Sequence, residues 1–164
     1  MTDVDRRSPY TRIVVLEDTH ERVQWLRDTF PGTEIDHAPD VVTFLKSVRR
    51  PYALAILDHD LGGDLGDGPD AKATYDAGTA GDANGLTGMD AVAACDRSTP
   101  VVVWSANPVW GPRMVDALVA HQVDHVVQAP FRADLRTANA IREAYFNSTG
   151  VWLSQGYTPN RVLA

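Results

Sequence analysis

Five apolar residues, Ala53-Leu54-Ala55-Ile56-Leu57, run straight into Asp58-His59-Asp60 and then into Leu61-Gly62-Gly63. A second apolar run, Ile13-Val14-Val15-Leu16, ends in Glu17-Asp18, and a third, Val101-Val102-Val103-Trp104, ends in Ser105-Ala106-Asn107-Pro108. If these three endings meet, several carboxylates share one small volume. Two like charges about 4 Å apart repel by up to ~4 kcal/mol at an effective dielectric of 20. Either a proton is shared or a cation sits among them. Oxygen donors of this kind suit magnesium or manganese, which leave coordination positions for water and phosphate. Glu17, Asp18 and Asp58 are therefore the expected metal ligands. Asp58, His59 and Asp60 form the expected catalytic group, with His59 or Asp60 completing the coordination or moving a proton. Ser105 and Asn107 can donate to phosphate oxygens, and Arg113 can hold an anion through its planar fork.

Each residue also has a bland explanation. An acidic residue after a strand often caps the next helix, and Asp18-Thr19-His20-Glu21 has the D-x-x-E form of a capping box. Side chains alternate along a strand, so only part of the Asp58-His59-Asp60 triplet can face one site. Ser105, Asn107 and Arg113 would otherwise be a turn serine, an Asn-Pro turn and a surface arginine.

The elements that must carry these residues follow from the apolar pattern. Short, continuously apolar runs read as strands buried on both faces, the pattern of a parallel sheet. Strands are expected at 12–17, 33–37, 53–58, 101–104 and 123–127. Between them, Val23, Leu26 and Phe30 recur at helical spacing, as do Val41, Phe44, Leu45 and Val48. A helix over about 87–96 carries Met89, Val92 and Ala93, with Cys95 as a small core residue, and the next carries Met114, Leu118 and Val119. The last, about 133–146, turns Leu135, Ala138, Ile141, Ala144 and Tyr145 inward. Alternation of this kind predicts an α/β, flavodoxin-like, doubly wound sheet of five parallel strands in the order 2-1-3-4-5. Strands 1 and 3 then lie side by side at the switch point, where ligands bind.

Residues 61–86 interrupt the rhythm with a long Gly- and Asp-rich loop after strand 3. No D-x-[DN]-x-[DN]-G pattern is present. A flexible surface insert is the first expectation, ahead of a lid or a cation-ordered segment. Residues 1–11 read as a loose arm, 12–146 as the domain, and 147–164 as an extension. The extension carries Trp152, Tyr157 and Val162 and is expected to pack on the domain or on a second copy in a homodimer.

A net charge of −7 and a pI near 5.0 argue against broad contact with duplex nucleic acid. A single cysteine, Cys95, excludes an intrachain disulfide. With no membrane-length apolar run and no leader pattern, a cytoplasmic protein is expected.

The same positions resemble the receiver domain of two-component response regulators over roughly 12–146. Leu16-Glu17-Asp18 is similar to the acidic pair after strand 1, and Leu57-Asp58-His59 to the phospho-acceptor strand end. Trp104-Ser105-Ala106 and Ala129-Pro130-Phe131 are similar to the endings of strands 4 and 5. Receivers have a lysine where this chain has Ala129, and the only lysines here are Lys46 and Lys72. A more specific likeness is to the cyclic-phosphate-processing receiver family. It rests on Leu57-Asp58-His59-Asp60-Leu61-Gly62-Gly63, Thr87-Gly88-Met89, Ser105-Ala106-Asn107-Pro108 and Arg113-Met114, with Trp104 where that family often has histidine. The resemblance implies metal-dependent handling of a 2′,3′-cyclic phosphate RNA end or a cyclic nucleotide. The alternatives are a non-catalytic receiver-like module that binds a protein or nucleotide, and a true receiver phosphorylated on Asp58.

Overall fold

Val, Ile and Leu fill the three inner strands because both faces of the sheet are covered. The computed structural model describes residues 8–154 and 156. Its five parallel strands are β1 (Ile13–Leu16), β2 (Ile35–Ala38), β3 (Leu54–Leu57), β4 (Val101–Val103) and β5 (Val126–Gln128). They lie in the order β2-β1-β3-β4-β5. Every residue of β1, β3 and β4 is buried, whereas the edge strands β2 and β5 are partly exposed. Alternate residues serve the two faces. Ile13, Val15, Leu54 and Ile56 pack with Trp25, Leu26, Ile141 and Tyr145 on one side. Val14, Leu16, Ala55 and Leu57 pack with Phe44, Met114 and Leu118 on the other. Full burial of each large apolar side chain contributes roughly 1.5–3 kcal/mol. Leu16 is level with Leu57, and Leu57 with Val103. The residues that follow therefore emerge together on one rim.

The helices are α1 (His20–Thr29), α2 (Val41–Ser47), α3 (Pro69–Ala77), α4 (Trp110–Ala120) and α5 (Leu135–Thr149), with a 3-10 helix at Gly88–Ala94. Asp40 caps α2 by accepting from the Thr43 N–H at 2.7 Å, and Asp134 caps α5 by accepting from Arg136 and Thr137. The capping box predicted at Asp18–Glu21 does not form. Thr19 is the N-cap, without a side-chain cap bond, and Asp18 is engaged elsewhere. A reciprocal box does close at Thr87 and Asp90, where it starts the 3-10 helix.

Four other expectations change. The segment 61–86 is not a plain loop. Gly68 and Pro69 start α3, and Gly78, in the left-handed region at φ +71°, ends it. Leu135, predicted to face inward, is exposed, as are Leu45 and Val119 of the other expected apolar stripes; Leu135 is the first residue of α5 and its buried stripe begins at Thr137 and Ala138. The last strand is displaced toward the C-terminus, with Val123 buried ahead of it. In the arm, the Ser8 N–H donates to the Ser148 carbonyl at 2.7 Å and the Tyr145 hydroxyl to the Thr11 carbonyl at 3.3 Å, so residues 8–11 are held.

In the extension, Leu153 is buried and the Gly156 N–H donates to the Thr29 carbonyl at 2.8 Å. Trp152 stacks on Phe146 with ring centroids 4.4 Å apart. Tyr157 and Val162 lie outside the described residues. Among those described, no helix is long and apolar enough to cross a membrane.

Candidate functional site

Glu17 and Asp58 are 1% and 3% exposed, an expensive place for two carboxylates. Each follows a buried strand by one residue, so β1 and β3 deliver them to the same point. Together with the half-buried Asp18 they offer oxygen atoms that all lie within 4.8 Å of one another. The local chain fixes all three. The Thr19 N–H donates to Glu17 Oε1 at 2.8 Å, the Gly63 N–H to Asp18 Oδ2 at 2.6 Å and the His59 N–H to Asp58 Oδ1 at 2.7 Å. Ser105, which follows β4, also favours the charged form of Asp58. Behind Asp58, the Gly88 N–H donates to the His59 carbonyl at 2.9 Å. A Cβ on Gly88 would lie 2.1 Å from the Asp58 carbonyl oxygen, so only glycine permits this approach.

Arg22, in the first turn of α1, reaches across the pair. Its Nη1 is 3.1 Å and 3.2 Å from the Glu17 carboxylate oxygens and 3.1 Å from Asp58 Oδ2. Its guanidinium carbon lies 4.4 Å from the centroid of the Phe131 ring, a cation–π contact. Even so, burial, reinforced by the Asp58 charge, raises the Glu17 pKa to about 8. Burial raises that of Asp58 to about 6, against the opposing pull of Ser105 and Arg22. A buried carboxylate pair of this kind favours uptake of a proton or a cation. The donor set is all oxygen and suits a hard divalent ion.

His59 does not line the cavity that Asp58 and Asp60 share, in keeping with the alternation of side chains along an extended chain. His59 is fully buried, with Nδ1 2.7 Å from Asp60 Oδ1 and its ring stacked on Trp110 at 5.1 Å between centroids. Its Nε2 is buried and has no hydrogen-bond partner among the described residues. Asp60 accepts from Asn107 Nδ2 at 3.2 Å and 3.1 Å. Asn107 also donates to the Tyr75 carbonyl of α3 at 2.9 Å, while its own Oδ1 accepts from the Val109 and Trp110 N–H groups. Both ends of that amide are thus committed. The Trp110 indole N–H donates to the Asp76 carbonyl at 3.0 Å, tying α3 to α4 a second time.

A cavity of about 880 Å³ opens between the carboxylates and the 61–86 segment. Asp18, Arg22, Asp58 and Asp60, Lys72 and Tyr75 of α3, and Phe131 are among the residues that line it.

Of the residues singled out from sequence, Glu17, Asp18, Asp58 and Ser105 are brought into direct contact or close company. Asp60 and Asn107 face the same cavity. His59 lies behind Asp60. Arg113 is exposed, its guanidinium carbon 4.7 Å from the Trp110 ring centroid, and it is not among the cavity-lining residues. Arg22 escaped the sequence reading, which followed only the apolar stripe of α1. The signal was its position four residues after Asp18, one helical turn on.

Five parallel strands in this order, alternating with helices and carrying acidic residues after β1 and β3, define a flavodoxin-like receiver fold. No protein-family model and no curated protein matches the chain. Solved structures do. The response regulator domain of Thermotoga maritima CheB superposes with a TM-score of 0.55 at 14% identity, covering 87% of this chain and 98% of that one. A response regulator receiver domain from Rhodospirillum rubrum gives 0.50 at 18%, covering 89% and 99%. A Burkholderia pseudomallei response regulator, solved with a phosphorylated aspartic acid, calcium ion and citrate, gives 0.50 at 14%, covering 82% and 66%. At these identities the likeness establishes the fold.

Proposed function

We propose that this protein is a divalent-cation-dependent phosphoesterase that opens a cyclic phosphate on a nucleotide or an RNA 2′,3′ end. The observation that carries the reading is the placement of Asp18 and Asp58 on the wall of an 880 Å³ cavity, with the buried Glu17 completing their carboxylate cluster. That volume falls within the range of small-molecule sites, roughly 300–1,000 Å³. The Burkholderia structure, which has this fold and was solved with a calcium ion and a phosphorylated aspartic acid, lends support to a cation and phosphoryl chemistry. The similarity of the Asp58–Gly63 and Ser105–Pro108 runs to the cyclic-phosphate-processing receivers supports the substrate class. Ala129, where receivers have lysine, weighs against ordinary phosphorelay switching.

Glu17, Asp18 and Asp58 would hold magnesium or manganese. When bound, the ion supplies charge against the phosphoryl oxygens and a more acidic water. Ser105 favours the charged form of Asp58 that a cation needs. Asp60, backed by the His59 imidazole and steadied by Asn107, faces the cavity and takes the proton of the attacking water. The water oxygen bonds to phosphorus, one ring P–O ester bond breaks, and the proton passes to the leaving oxygen. The part expected of Arg113, holding a phosphate oxygen, requires it to leave the face of Trp110.

The test is phosphorus NMR of the protein with magnesium and a panel of 2′,3′-cyclic RNA ends, 2′,3′- and 3′,5′-cyclic mononucleotides and cyclic dinucleotides. Ring opening by the wild type and none by Asp58→Asn is the expected result. Silence across the panel from folded protein overturns the esterase and favours a module that only binds.

A further inference from the structure

Arg22 occupies the oxygens that a divalent ion at this site needs. Its Nη1 bridges Glu17 and Asp58 Oδ2, and its side chain is 12% exposed at the cavity wall. A guanidinium and a divalent cation repel, and here they compete for the same carboxylate oxygens. The cavity is also a poor host for an anion, because Asp18, Asp58, Asp60, Asp64, Asp67 and Asp76 all line it. Among the described residues, its other lining cation is Lys72, which is 74% exposed and paired with Asp76 on its own helix.

We propose that Arg22 and the divalent cation exchange places, and that the displaced guanidinium becomes the anion-holding group of the loaded site. Without the cation, Arg22 is the internal counter-ion of Glu17 and Asp58. With it, the guanidinium gives up Asp58 and turns along the face of Phe131 toward the cavity. There its planar donors meet the oxygens of a phosphate. Binding is therefore ordered, cation before anion. This rests on the proposed function only for the cation site.

The experiment measures Mn²⁺ binding to the full-length protein by electron paramagnetic resonance of the free ion, with and without inorganic phosphate. In the wild type, phosphate tightens Mn²⁺ binding by about threefold or more, since two coupled ligands help each other equally. Arg22→Gln is expected to bind Mn²⁺ about tenfold tighter, having lost a competing charge, and to lose the phosphate coupling. Unchanged or weaker Mn²⁺ binding by the folded variant overturns the exchange. Phosphate coupling that persists in the variant overturns the anion-holding role. Should Arg22→Gln not fold, the wild-type Arg22 Nε–H resonance, assigned by its loss in Arg22→Lys, is followed with Mg²⁺. It is expected to shift and to exchange faster with solvent; a resonance unmoved at saturating Mg²⁺ overturns the proposal. Turnover enters neither measurement, so a failed esterase with an intact exchange, or the reverse, is recognised as such.

Discussion

Asp58 holds a charge in a place with almost no water, and its neighbour Glu17 is more deeply buried still. Replacing Asp58 with the isosteric asparagine removes one of two crowded carboxylates while Arg22 keeps Glu17 as its partner. Asp58→Asn should therefore stabilise the cation-free protein at pH 8 by about 1 kcal/mol, raising Tm by a few degrees. A thermal melt checks this, and a lower Tm would mean that the Arg22–Asp58 pair outweighs the crowding. Asp58 was legible in the sequence because an apolar strand ends on it. Arg22 was not, because nothing in the spacing of Val23, Leu26 and Phe30 says that the polar side of α1 bends back over the strand ends. Asn107 was expected to donate to a phosphate oxygen, and in the structure its amide serves Asp60, Tyr75 and the start of α4.

At the level of elements, the 3-10 helix and α3 hold the strand ends in register with one another. Gly88→Ala would force the Asp58 carbonyl away, since the added methyl carbon would lie 2.1 Å from it. A loss of about 3 kcal/mol, in the range of overpacked cores, is expected in urea titration. Trp110 lies with one contact on His59, and Gly78 leaves room for its ring, because a Cβ there would lie 2.2 Å from it. Trp110→Ala should release α3 from α4. Amide exchange at residues 69–77 is expected to speed up by an order of magnitude while the β1 and β3 amides stay protected. Equal acceleration in both would show that α3 is not a separate unit. Of these elements α3 was the least legible, whereas the helix expected over 87–96 lies at Gly88–Ala94. Only Ala71 of α3 is buried, and the helix is held mainly by polar contacts to residues some thirty positions away. Apolar periodicity carries no record of such contacts.

The whole molecule carries the carboxylate pair as a pH liability. Both pKa values are raised in the folded chain, Glu17 from 4.5 to about 8 and Asp58 from 3.8 to about 6. The folded state then binds more protons than the unfolded one between those limits, so stability falls as pH rises through 6 and on through 8. The urea midpoint should be higher at pH 5 than at pH 8.5, and saturating Mg²⁺ should remove most of the difference. A midpoint that rises over that interval without Mg²⁺ would contradict the assignment. The sheet order that concentrates these charges could be foreseen from the alternation of five short strands with helices, since parallel strands with intervening helices admit few arrangements. The cavity could not, because it depends on where the 61–86 segment folds back. That segment leaves the sheet and returns to the same point: the Leu61 N–H donates to the Ala80 carbonyl at 2.8 Å. Residues 62–79 are in effect a cartridge closed at its neck by that bond and tied to the rim through Asp18, Asn107 and Trp110. A segment of different length or sequence, grafted between Leu61 and Ala80, would reshape what the cavity admits without asking the five strands to refold.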